Sequence, residues 1–256
     1  MSILALDIGN SRIGLGIYED GKSVDAPVRI ALTDLAAQLP TAIRELLDRH
    51  SNPVEHAALA SVVPSAVDPA SAVIRQVLGM EAQIVGRDIP IPLEMRLKDS
   101  STVGVDRLLG ALTAFVNTQS PCAIISCGTA LVVDCIDAEG VFRGGAIAPG
   151  LSMAAQALHA NTAQLPLADL TPPDGPTGLN TMEALNLGLY AQMRGAVRYL
   201  LELYADLLGT WPHVVATGGD AQRVLGESEL VDSFIPDLVL QGVALVCQYR
   251  HQPDAD

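Results

Sequence analysis

The chain's apolar residues come in short blocks that break off at small polar ones. Leu4-Ala5-Leu6 runs into Asp7-Ile8-Gly9-Asn10-Ser11, and Ile13 to Tyr18 follows at once and closes at Glu19-Asp20-Gly21. This pattern predicts a buried strand, a tight polar turn and a return strand, a hairpin with functional groups at its tip. Ala26 to Leu32 reads as a third strand, and Asp34 to Arg49 as a helix with Leu35, Leu39, Ile43, Leu46 and Leu47 at helical spacing. Ala57 to Val63 is a buried strand stopped by Pro64, Val67 to Leu78 a helix ended by Gly79, and Ala82 to Val85 a short strand. Ile89 to Thr102 has no period and reads as an extended loop. It delivers Val103-Gly104-Val105-Asp106-Arg107 to a helix over Leu108 to Val116.

The opening pattern then returns. Ala123-Ile124-Ile125-Ser126-Cys127-Gly128-Thr129-Ala130 is again strand into polar turn, and Leu131 to Ile136 is again a return strand. Two such hairpins half a chain apart indicate a duplicated domain. Phe142 to Ile147 continues as a third strand, Ser152 to Ala160 as a helix, and Leu165 to Gly178, rich in proline and glycine, as a loop. Asn180-Thr181 caps a long helix to Leu208, with Glu183 in the capping-box position. His213 to Thr217 is a strand that breaks at Gly218-Gly219, before a helix from Asp220 to Leu225 and a short strand from Leu230 to Phe234. Leu240 to Tyr249 is a closing helix, and the tail from His251 to Asp256 is expected to fray. The expected architecture is α/β, with two similar domains over residues 1–117 and 118–256 and a mixed sheet in each.

Composition narrows the function. The 256 residues are 49% hydrophobic, and the longest apolar stretch, around Ile124 to Val133, is too short to span a membrane. No basic region precedes the first apolar run, which reads as a strand and not a signal peptide, so a cytoplasmic location is expected. A net charge of −14 argues against a nucleic-acid partner. Any anionic substrate must therefore meet local positive charge from an arginine, a metal or a helix N-terminus. Cys122, Cys127, Cys135 and Cys247 lack metal-binding spacing and read as buried free thiols.

Glycine-hinged turns with a carboxylate alongside suit a nucleotide. Backbone N–H groups can cradle phosphates while the carboxylate holds Mg²⁺. Asp7 is the Mg²⁺ candidate, the turns at Gly9-Asn10-Ser11 and Gly128-Thr129 can take phosphates, and Gly218-Gly219 lets a nucleoside approach the backbone closely. Two such domains would make an interdomain nucleotide site. Asp106, at a helix start beside Arg107, is either a helix cap or a base that accepts a hydroxyl proton, and the pattern alone leaves both open. There is no Walker A lysine loop and no protein-kinase glycine loop with its catalytic HRD.

Asp7 to Ser11, Ser61-Val62-Val63-Pro64, Gly104 to Arg107, Gly128-Thr129-Ala130, Gly144 to Leu151, Asn180-Thr181, Thr217-Gly218-Gly219 and Leu240-Gln241-Gly242 together span nearly the whole chain. In this order they resemble the type III pantothenate kinase family of the acetate and sugar kinase/Hsp70/actin superfamily. The resemblance implies duplicated actin-like, ribonuclease H-like domains with ATP in the interdomain cleft. It implies phosphorylation of pantothenate by ATP on its primary hydroxyl, the first step toward coenzyme A. Asp106 would be the proton acceptor, and Asp7, Ile8, Gly9, Asn10, Ser11, Arg12 and Thr129 would bind ATP and its metal. Gly104, Val105, Asp106 and Arg107 would hold pantothenate, with Arg107 as the positive charge for its carboxylate. The resemblance also implies a homodimer in which Thr181 touches pantothenate from the partner, Mg²⁺, and a monovalent cation, K⁺ or NH₄⁺.

Three positions depart from the family pattern. Ser126 stands where the family has an aspartate associated with the monovalent cation, and a serine oxygen coordinates K⁺ more weakly. Leu97 stands where the family has a substrate-contacting tyrosine, and Ser100 where it has a proline. Two further readings follow from these departures. One is a catalytically weak paralogue that binds nucleotide as a regulator or as one subunit of a heteromeric kinase. The other is a small-molecule kinase with a different acceptor. Retention of Asp106 and Arg107 favours the enzyme, because a pure binding module has no need of a base.

Overall fold

The structure, a computed structural model, describes residues 1–226 and 228–251. The tail expected to fray lies, from residue 252 on, outside the described residues. Helices and strands alternate as the apolar pattern predicts. The first stretch contains β1 (Ser2–Ile8), β2 (Arg12–Glu19), β3 (Lys22–Ser23), β4 (Val28–Ala31), α1 (Leu35–Arg49), β5 (His56–Ser61), α2 (Pro64–Leu78) and β6 (Gln83–Ile84). After the long loop come α3 (Val105–Thr118), β7 (Cys122–Cys127), β8 (Ala130–Ile136), β9 (Phe142–Pro149) and α4 (Leu151–Ala160). The chain closes with α5 (Thr181–Leu208), β10 (His213–Thr217), α6 (Ala221–Leu225), β11 (Ser233–Phe234) and α7 (Leu238–His251).

Two helix starts show how local chemistry sets boundaries. The strand before α2 ends at Ser61, and the helix begins at Pro64, three residues earlier than the apolar spacing suggests. Proline at the first helical position has no N–H to leave unpaired, and its fixed φ already suits a helix. Gly79 then ends α2 in the left-handed conformation, at φ 71°. At α5 the expected cap is present, with Glu183 reaching one residue further back than a capping box: Asn180 accepts the Glu183 N–H at 2.9 Å, while the Glu183 carboxylate accepts the Leu179 N–H at 2.8 Å.

The two sheets are built alike. In the first, β4 pairs antiparallel with β2, β2 antiparallel with β1, β1 parallel with β5 and β5 parallel with β6. In the second, β9, β8, β7, β10 and β11 repeat that order and those directions one for one. A hairpin, a third antiparallel strand and two parallel strands reached through helices recur, which is the duplication the sequence suggests.

The chain divides into two compact units: residues 1–94, 98–113 and 237 onward in one, and residues 95–97 and 114–236 in the other. This corrects a simple division at residue 117. Helix α7, expected with the second domain, belongs to the first unit because it packs on β1, β2 and β5. Its small residues let it in. A Cβ at Gly242 would stand 2.7 Å from Thr113 Oγ1 and 2.9 Å from Leu109 Cβ, so α7 meets α3 there only as glycine. On the opposite sheet face, Leu4, Leu6, Ile8, Ile13 and Leu15 are buried with Leu39, Ile43 and Leu46 of α1 and Ala70 and Ile74 of α2. In the second unit, Ile125, Val133 and Val214 are buried with Leu189, Met193, Val197 and Leu201 of α5. The four cysteines are free and buried, as their apolar surroundings predict. Among the described residues no helix is long and apolar enough to cross a membrane.

Candidate active site

In the first unit the β1–β2 turn is closed by the Gly9 N–H, which donates to the Arg12 carbonyl at 2.9 Å. Neighbouring chain holds it on both sides: Val62 N–H donates to the Ile8 carbonyl at 3.1 Å, and Leu32 N–H to the Ser11 carbonyl at 3.0 Å. Ile8 is buried beneath the turn, whereas Asn10, Ser11 and Arg12 are exposed at its tip. Asp7, half-buried, lies opposite Gly14 on β2 and Ala60 on β5.

Asp106 occupies the first turn of α3, with Val105 before it and Arg107 after it, all three half-buried. Its Oδ1 accepts the Arg107 N–H at 2.9 Å, an N–H that also donates to the Gly104 carbonyl at 3.1 Å. A Cβ at Gly104 would stand 2.5 Å from Asp106 Oδ1 and 3.6 Å from Val62 Cγ1. The carboxylate folds back over the Gly104 backbone beside the end of β5, into the space a side chain there would take.

Electrostatics link the two acids. Burial, followed by the charge of Asp106, pushes the Asp7 carboxyl up to about 7, and the Arg29 guanidinium works against that rise. Burial also raises Asp106, opposed by the amide and the guanidinium of Arg107. A desolvated carboxylate in the field of another resists ionising beside it. A hard dication relieves them, and Mg²⁺ typically takes one or two carboxylates plus phosphate oxygens. The donor set fits Mg²⁺. Arg29, on β4, is the residue the sequence motifs do not flag; pairing of Val28–Ala31 with β2 is what brings it into the row of Asp7.

In the second unit three turns close on one another. Gly128 N–H donates to the Ala130 carbonyl at 3.0 Å, Gly150 N–H to the Thr129 carbonyl at 3.1 Å, and Asp220 N–H to the Cys127 carbonyl at 3.0 Å. A Cβ at Gly150 would strike the Gly128 carbonyl, and one at Gly218, whose φ is +95°, would strike the Cys127 carbonyl. Thr129 and Gly219 are exposed at this junction, and Ser126 is half-buried opposite Val132 and Thr217. Leu97 lies on the edge of the same unit, away from that junction. Met95 bridges to Phe142, Arg96 N–H donates to the Phe142 carbonyl at 3.0 Å, and Leu97 Cδ2 comes within 3.0 Å of where a Cβ at Gly144 would stand. Thr181 is exposed at the first position of α5.

This arrangement of turns and acids coincides with a sequence match. The profile of the type III pantothenate kinase family matches residues 3–203. A type III pantothenate kinase of Dehalococcoides mccartyi is 32% identical over 251 residues, covering 96% of this chain and 95% of the relative. That of Solibacter usitatus is 31% identical over 257 residues, covering 99% and 98%. The chain belongs to the type III pantothenate kinase family. Solved structures agree on the fold. A Campylobacter jejuni protein assigned to the Baf family of transcriptional activators superposes with a TM-score of 0.64 at 14% identity, covering 97% of this chain and 98% of that one. A ROK family glucokinase from Streptomyces griseus gives 0.52, also at 14% identity, covering 97% and 100%. As a type III pantothenate kinase family member the chain has the actin-like α/β architecture of duplicated domains. Its acids at Asp7 and Asp106 sit together in one of those domains.

Proposed function

We propose that the protein transfers the γ-phosphate of ATP to the primary hydroxyl of pantothenate in the cytoplasm, opening the route to coenzyme A. The observation that carries this is the Gly104–Arg107 turn, where a glycine lets the Asp106 carboxylate fold beside the Asp7 hairpin with an arginine next to it. Asp106 accepts the proton of the acceptor hydroxyl. Because phosphoryl transfer runs through a loose transition state, positioning matters more than strong basicity, and the raised affinity of Asp106 for a proton favours its taking one. Arg107 pairs with the pantothenate carboxylate, and Gly104 and Val105 shape the backbone around it. Ile8, Gly9, Asn10, Ser11 and Arg12, together with Thr129, Gly218 and Gly219, bind ATP.

Asp7 would hold Mg²⁺, which when bound neutralises charge on the ATP phosphates. Ser126 offers a hydroxyl to a monovalent cation where the family has a carboxylate, so K⁺ or NH₄⁺ would be held more weakly. Leu97 makes its part of the acceptor site apolar. Helix α5 supports a homodimer: Tyr199, Leu203 and Leu207, one turn apart, are 62%, 44% and 53% exposed. An unpartnered apolar stripe of this kind suits a second copy, which would also bring Thr181 to a partner's pantothenate.

The test is ADP release by purified protein with pantothenate, Mg²⁺ and, in turn, K⁺, NH₄⁺ or Na⁺. Pantothenate-dependent turnover is expected, with loss of at least roughly 100-fold in Asp106→Asn. No turnover with any cation would overturn the reading.

A further inference from the structure

We propose that His56 and His251 form a proton-operated fastening for the last turn of α7, closed while the rings are uncharged and opened when both take a proton. Such a fastening is independent of the kinase reading. Helix α7 crosses the sheet of the first unit, packing on β1, β2 and β5. Its start is tied to β2, where the buried Tyr18 hydroxyl donates to the Asp237 carboxylate at 2.8 Å. Along its length Leu240 lies over Gly14, and Gly242 meets α3. Its end is held by polar rings. His56 opens β5, and its imidazole stacks on that of His251, the last residue of α7, with centroids 3.8 Å apart and planes 16° from parallel. His251 Nε2 also meets Gln83 Oε1 of β6 at 2.9 Å. The Cys247 thiol, one turn back, points at the same oxygen from 3.6 Å. One imidazole thus joins the helix end to two neighbouring parallel strands.

Stacked rings at this distance resist a second charge. Imidazole is the side chain whose ordinary titration falls near neutral pH, and two imidazolium ions face to face repel. The surroundings do not relieve them. Burial, then the charges of His56 and Arg250, hold His251 below its ordinary 6.5. Gln83 carries no charge, and burial keeps the Cys247 thiol neutral by pushing it up to about 11. On β1 the residue paired with His56 is the apolar Ile3, and on β2 Ile3 pairs with Tyr18, whose hydroxyl is committed to Asp237. The Glu55 carboxylate, next in the chain to His56, accepts the Ser2 N–H at 3.0 Å. Because the folded value of His251 lies below the unfolded one, the unfolded turn binds more protons. The fastening is therefore intact above about pH 6.5 and is lost as pH falls. The duplicated unit differs. Its β10 also opens with a histidine, His213, but the Nε2 of that ring meets the Ser233 hydroxyl at 3.4 Å, a partner that takes no charge.

The experiment follows His251 by NMR pH titration and the α7 amides by hydrogen–deuterium exchange, in wild type, His56→Phe and His251→Gln. In wild type, His251 should titrate below 6.5. Exchange in the last turn of α7, corrected for its intrinsic pH dependence, should quicken about fivefold or more between about pH 7.5 and 5.5, while the amides around Leu240 hold steady. His56→Phe keeps a ring for stacking but turns repulsion into cation–π attraction, so His251 should titrate at or above 6.5 and the pH response should vanish. His251→Gln should leave the last turn equally loose at both pH values. Should His56→Phe fail to fold, the wild-type titration and His251→Gln still decide. Protonation of Asp7 strengthens the fold as pH falls, so it cannot mimic this loosening. Equal corrected exchange of the last turn at both pH values in wild type, a wild-type His251 that titrates at or above 6.5, or a His56→Phe response like that of wild type would each overturn the proposal.

Discussion

Across the first unit's sheet one row in register reads Arg29, Gly14, Asp7 and Ala60, and across the second unit's sheet the corresponding row reads Ile147, Val132, Ser126 and Thr217. The strands, their order and their directions are the same; the charges are not. The first unit puts a carboxylate beside its turn and a cation two strands away, with Leu240 of α7 over the glycine between them. The second replaces both with uncharged groups and spends its glycines differently, at Gly150 and Gly218, where three turns pack on each other's carbonyls. A duplicated fold preserves the backbone frame because the pairing depends on it, while the side chains at the turn answer only to what they bind. The difference implies a division of labour, with charge handling on the first unit and backbone approach on the second.

The strongest way to break that division is to neutralise each turn in its own unit. On the proposed function, Asp7→Asn is expected to lower pantothenate-dependent turnover by at least roughly 100-fold, because it removes the carboxylate proposed to hold Mg²⁺. Ser126→Ala should cost less than about tenfold, the worth of one neutral oxygen. Comparable losses in the two variants, measured at saturating Mg²⁺ and K⁺, would mean that the units share the charge work and that the asymmetry is cosmetic.

A second, smaller effect appears in stability, and its sign is fixed by the direction of the Asp7 shift. The carboxyl titrates near its ordinary 3.8 in the unfolded chain and at about 7 in the folded one. Between those values the folded state keeps a proton that the unfolded state has lost, so stability falls as pH rises through this window and stays low above it. The full penalty is at most about 4 kcal/mol, and partial exposure of Asp7 makes it smaller. Asp106, also raised by burial, contributes in the same sense. Thermal melts without Mg²⁺ should therefore show Asp7→Asn close to wild type near pH 4 and more stable than wild type at pH 8. A variant less stable than wild type at pH 8 would place the charge of Asp7 in a favourable structural contact instead.

The parts of this picture that were legible in the sequence are those with local causes. The strand–turn–strand blocks, the Asn180 cap with Glu183 and the stop at Gly79 follow from alternation, hydrogen-bonding side chains and positive φ, all readable within a few residues. The spacing from Gly104 to Asp106 could be flagged, yet its reason, a carboxylate folded over a glycine, needs coordinates. Long-range placement was harder. Nothing near Leu238–His251 says that the helix packs with the N-terminal strands, more than two hundred residues earlier in the chain; Leu240 against Gly14 of β2, and Gly242 against Leu109 and Thr113 of α3, become visible only in the fold. The nearness of Arg29 to Asp7 was invisible for the same reason, since it comes from the register of β4 and not from any motif around it.

The smallest effect sharpens the comparison by trying to reverse it. Ser126→Asp restores a carboxylate to the second turn, on a strand already paired with Thr217 and Val132. If the second unit lacks charge because its cation site has weakened, the new carboxylate should lower the K⁺ concentration for half-maximal turnover by a few fold, with little change in KM for ATP. The same variant carries a cost. If the second turn faces phosphate as proposed, a second acid there repels the nucleotide unless a cation sits between them, so turnover without K⁺ should drop below that of wild type. A K⁺ titration of both proteins reads both effects at once. Curves of equal midpoint would show that the hydroxyl of Ser126 is not a cation ligand and that the second turn acts through its backbone alone.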